Sequence, residues 1–149
     1  MEARHERALR LFPEHKWAYD YPEETVWQVL SVLHESVVSA HEANDVDQLK
    51  KIYGFAEWCH SQKSSDPDIW MAAYMKFYEH LVENSATYAA IPDWLTPEVF
   101  EDVLPQFQER LEDKEKYPME RPGTFEELLQ RCDAAHGTNF WARRNEWRE

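Results

Sequence analysis

The chain has 149 residues, 43% hydrophobic and 14% aromatic, which is the size and apolar content of a single domain with its own core. Three glycines in the whole chain exclude a glycine-rich phosphate loop and argue against a sheet protein built on tight turns. A net charge of −13 disfavours nucleic acid or anionic membrane as a partner, because like charge repels a phosphate field, and favours either plain solubility or a basic protein partner.

Residues 2–12 carry Ala8, Leu9, Leu11 and Phe12 as the apolar part of a short amphipathic helix that Pro13 ends. The next stretch, PEHKWAYDY, is an aromatic loop whose Trp17, Tyr19 and Tyr21 are expected to lie across helices. Pro22, Glu23 and Glu24 suit the first turn of a helix spanning about 22–43. Its stripe is Val26, Leu30, Leu33, Val37 and Ala40, and Trp27, His34 and His41 fall seven apart on the polar boundary. Asn44-Asp45 breaks and caps, and a third helix turns Leu49, Ile52, Tyr53, Ala56 and Cys59 inward. Gly54 in mid-helix costs about 1 kcal/mol against alanine, which a closely packed helix or ring would explain.

The stretch 67–84 organises the rest. Ser65 or Asp66 caps it and Pro67 sits in its first turn. Ile69, Trp70, Ala73, Phe77 and Leu81 lie on one helical face, and Met71, Met75, Tyr78 and Val82 on another. A helix apolar nearly all round is a central one. After Asn84 the chain is expected to be irregular through TYAAIPDWL, until Thr96-Pro97-Glu98 opens a further helix. Pro105 predicts that this helix is kinked or divided before Glu112. A polar loop over 113–123, a helix over 125–136 ended by Gly137, and a last helix over 138–147 complete the chain. The expected fold is all-α, a compact bundle of antiparallel helix pairs with about six to eight helices. A single domain over 1–149 is expected, with the segment 124–149 packed on the body.

No apolar run reaches the roughly eighteen residues that span a bilayer, and no charged-then-apolar leader is present, so a cytoplasmic protein is expected. Two cysteines do not make a disulfide scaffold, and Cys59 is expected to be a buried free thiol.

The words Tyr53-Gly54-Phe55-Ala56-Glu57-Trp58-Cys59 and Phe77-Tyr78-Glu79-His80-Leu81 resemble an uncharacterised family of small bacterial helical proteins with a YGFAEWC element followed by an FYEHL element. The resemblance covers about residues 45–112. It implies a helical domain and no particular activity.

Three groups of residues could carry chemistry. Glu57 and His60 form an E-x-x-H on a helix, the spacing by which ferritin-like bundles present a carboxylate and an imidazole to a metal, and Glu79 and His80 could add ligands. Such bundles need two of these motifs, and the other E-x-x-H, Glu2 to His5, lies near the start of the chain. Glu57 with Glu79 would act as an acid/base pair if both faced one cavity, but the simpler reading, favoured here, is that each bonds a donor such as Tyr53, Tyr78 or Trp94 and helps fix helix packing. Cys59 and His60 are adjacent on a helix and point about 100° apart, which leaves the thiol without an activating base. The C-terminal FWARRNEWRE places Trp141, Arg143, Arg144 and Trp147 in an aromatic-basic segment, either a docking surface or a segment folded onto the acidic body.

No metal, cofactor or catalytic assembly is expected from these patterns. The favoured function is a non-enzymatic domain that binds a basic protein, similar in charge and size to the way bacterial immunity proteins meet nuclease toxins. The alternative is a metal-binding or acid/base enzyme that uses Glu57, His60, Glu79 and His80.

Overall fold

Caps and prolines set the helix starts. In the computed structural model, which describes residues 7, 10–13 and 25–144 (side chains in the first helix from residue 27), the N-caps Asp45, Asp66, Asn84, Thr96 and Thr124 each accept a backbone N–H of the following turn. The helices are α1 (Thr25–Glu42), α2 (Val46–His60), α3 (Pro67–Lys76), a 3-10 helix (Tyr78–Glu83), α4 (Ser85–Trp94), α5 (Pro97–Glu112) and α6 (Phe125–His136). The fold is all-α, with no strand among the described residues. The aromatic loop with Trp17, Tyr19 and Tyr21, the opening turn at Pro22, and Trp147 lie outside the described residues.

The chain divides into two units, Met1–Tyr78 and Glu79–Glu149. In the first, α1, α2 and α3 pack on one another. Leu30, Leu33 and Val37 of α1 are fully buried and Ala40 nearly so, as the stripe requires, and Val29 joins them. Helix α2 turns Leu49, Ile52, Tyr53, Ala56 and Cys59 inward, and Phe55 as well, whose ring meets that of Phe12 edge-on at 5.7 Å. Asn44 adopts φ +53°, a left-handed turn that asparagine tolerates, and so lets α2 fold back beside α1.

The stretch 67–84 is divided where one helix was expected. Helix α3 stops at Lys76, Phe77 leaves helical geometry at φ −121°, and the chain continues as a 3-10 helix. The register change carries Phe77, Tyr78, Leu81 and Val82 all to buried positions. It leaves Met71 and Met75 exposed, so α3 is apolar on one side only. Gly54 is also explained differently: it is exposed, and nothing lies within 4 Å of where a Cβ would stand.

In the second unit α4 and α5 both pack on α6. Helix α4 occupies the stretch read as irregular. Asn84 receives the N–H groups of Ala86 and Thr87, and Pro92 sits close enough to the end to be carried. Helix α5 runs unbroken through Pro105. Its Val99, Phe100, Val103, Leu104, Phe107 and Leu111 are buried, a stripe wide enough to hold the helix together against the lost hydrogen bond. The helix expected over 138–147 does not start at Gly137: the glycine takes φ +67°, the Phe140 and Trp141 amides turn to the Asp133 carboxylate, and residues 140–143 form turns that reach 3-10 geometry only at residue 144, the last one described.

Candidate functional site

Arg110 occupies the last turn of α5 and aims its fork at the 3-10 helix. Nη2 donates to Glu79 Oε1 at 2.6 Å and Nη1 to Glu83 Oε1 at 2.7 Å. The Arg110 and Glu79 side chains are 11% and 12% exposed, so both charges are largely withdrawn from water and depend on each other. His80 Nδ1 lies 2.9 Å from the second oxygen of Glu83; residues three apart eclipse in a 3-10 helix, which brings this pair together. The ring of Tyr117 lies 4.7 Å beneath the guanidinium. Glu79 and His80 thus stand in one ion-paired cluster, with Glu79 engaged by a cation rather than presented to a substrate.

Glu57 and His60 belong to the first unit and Glu79 and His80 to the second. Glu57 is exposed on α2. His60 is half-buried, its ring centroid 6.4 Å from that of Trp70 and 6.0 Å from that of Tyr78. Lys63 stands 4.6 Å over the Trp70 ring. The E-x-x-H therefore splits between solvent and an aromatic cluster. Among the described residues no group of three or more His, Cys, Asp and Glu side chains is arranged to hold a metal ion.

Trp27 and His41, on the boundary of α1, bond polar groups of the neighbouring helices. The Trp27 indole N–H donates to the Asp68 carboxylate at 3.2 Å, and His41 Nε2 lies 2.7 Å from the Tyr53 hydroxyl. Burial lowers the His41 pKa and raises that of Tyr53. Cys59 and Cys132 are buried free thiols, and burial pushes Cys132 up to about 12, which leaves it protonated and unreactive near neutrality.

The C-terminal segment is tied down by a residue the sequence reading passed over. Asp133 near the end of α6 accepts the Thr138 hydroxyl at 2.6 Å, the Phe140 N–H at 2.8 Å and the Trp141 N–H at 2.9 Å. Phe140 is buried, its ring 5.0 Å from that of Phe100. From this anchor Arg143 donates to Glu101 of α5 at 3.0 Å, and Arg144 stacks over the half-buried Trp141 at 4.2 Å. The only sequence signal for the anchor is an acid shortly before a helix-ending glycine, which is too common to single out.

Charge is unevenly spread along the second unit. From Glu79 to Glu109 the chain has seven carboxylates and no lysine or arginine. The side of α5 turned away from its buried stripe carries Glu98, Glu101, Asp102, Glu109 and Glu112. An open groove of about 580 Å³ lies beside the end of that helix, floored by Leu111 and Phe125 and edged by Glu112, Lys114, Arg121 and Glu126. In the first unit a smaller groove of about 340 Å³ is lined by Trp27, Gln28, Ser31 and Lys76.

An all-helical domain with a carboxylate-rich face and ion-paired acid clusters is the class these features define. The chain belongs to the DUF7674 family, a domain of unknown function, which it matches over residues 5–109. That span takes in both the YGFAEWC and FYEHL words and stops just before Arg110. No curated protein and no solved structure matches the chain. Among the described residues no helix is long and apolar enough to cross a membrane.

Proposed function

We propose that this chain is a non-enzymatic interaction domain that takes a basic protein on its acidic surface, in a cytoplasmic setting and without nucleic acid as a partner. The observation that carries the reading is the row of carboxylates on the outer side of α5, four of its five members within the stretch 79–109 that has no lysine or arginine. Within the row Lys116 holds Glu109 and Arg143 holds Glu101, while Arg110 is engaged by Glu79 and Glu83, so Glu98, Asp102 and Glu112 are its exposed members. A net negative field on a preformed helix raises the encounter rate with a basic surface. The acid/base alternative is weaker, because Glu79 is committed to Arg110 and Glu57 is in solvent.

The test is capture from the native host at low salt with the wild-type chain and with a variant carrying Glu98→Gln, Asp102→Asn and Glu112→Gln, three exposed positions of that row. Wild type should retain a protein with an excess of lysine and arginine, and the variant should retain several-fold less. Equal recovery of the same proteins by both chains would overturn the reading.

A further inference from the structure

The aromatic-basic segment after α6 is docked on this chain's own acidic helix. It is fixed by two backbone N–H groups and the Thr138 hydroxyl donating to Asp133, and by burial of Phe140 against Phe100, which delivers Arg143 to Glu101. That ion pair is partly open, its two side chains 34% and 45% exposed, so it can exchange partners while the anchor holds. Arg143 is the chain's own example of what the face accepts, a guanidinium on a carboxylate of α5.

We infer that the segment 138–144 is a self-masking strap, in which Arg143 competes with the basic partner for Glu101. This rests on the proposed function, and adds a direction to it. If the segment were itself part of the docking surface, losing Arg143 would weaken binding. If it masks the face, losing Arg143 strengthens binding.

The experiment measures the affinity of a short oligo-arginine peptide at low salt for the wild-type chain, Arg143→Gln, Glu101→Gln and the double variant. Lys50→Gln, at an exposed position on α2, controls for the loss of one positive charge. Arg143→Gln should bind about threefold more tightly than wild type, the scale of one exposed ion pair, and clearly more tightly than Lys50→Gln. Glu101→Gln should bind more weakly, and adding Arg143→Gln to it should restore little, because the competed carboxylate is gone. Equal gains in Arg143→Gln and Lys50→Gln, or a loss in Arg143→Gln, would overturn the strap and leave the acidic surface standing. No binding of the peptide by wild type or any variant would overturn both.

Discussion

Glycine positions respond to substitution according to what a Cβ would meet. At Gly54 it meets nothing within 4 Å, so Gly54→Ala should remove backbone freedom from the unfolded chain and raise stability by about 1 kcal/mol, read as a higher denaturation midpoint. At Gly123 the same atom would stand 2.6 Å from the Tyr88 ring, whose hydroxyl donates to the Thr124 carbonyl at 2.6 Å. Gly123→Ala should displace that ring and cost about 1–3 kcal/mol in the same measurement. Both glycines were visible in the sequence, but the space around them was not. His41 gives a pH signature. Burial lowers its folded pKa below the ordinary 6.5, so the folded state prefers the neutral ring. Its contribution is therefore intact above about pH 6.5 and is lost as pH falls through the lowered folded value. Between pH 7 and 5, wild type should lose more stability than His41→Gln, as followed by denaturant midpoints; parallel curves would remove His41 as a source.

At the scale of elements, two features carry most of the local organisation. Phe77, fully buried where α3 gives way to the 3-10 helix, meets Tyr53 edge-on at 5.8 Å. Phe77→Ala should cost about 3–5 kcal/mol, and a melting temperature near wild type would contradict this placement. Arg110 ties α5 to the 3-10 helix through two carboxylates, and Arg110→Ala would remove the cation from the largely buried Glu79 while Glu83 keeps His80. A loss of about 3 kcal/mol is expected, with Arg110→Lys recovering only part because lysine lacks the fork. The helices and their starts were legible in the sequence, since stripes such as Leu30, Leu33 and Val37 and caps such as Asp66 and Thr96 are local signals. Helix α4 was not, because Pro92 reads as a breaker unless the helix end is known to lie just beyond it. The break at Phe77 was invisible for the opposite reason: a run apolar on several faces hides the change of register. The site was legible only in pieces, for Glu79 and His80 were noticed but Arg110, thirty-one residues from Glu79, has no local mark joining it to them.

For the whole molecule, a single cooperative domain over 1–149 remains our proposal. Unfolding followed by tryptophan fluorescence and by far-ultraviolet circular dichroism should then coincide, and separated transitions would contradict it. The wider claim is that the −13 charge selects a basic partner rather than only keeping the chain in solution. Charge alone does not choose a partner, so lasting affinity would also need apolar anchors. Such a complex must form by screened long-range attraction. The most direct measurement is the association rate with the captured partner across a salt series. From about 0.05 M to about 0.5 M the Debye length shortens from roughly 14 Å to roughly 4 Å. The account predicts that association slows by on the order of tenfold or more while dissociation changes less. An association rate that ignores salt would contradict it and leave the charge as a solubility device.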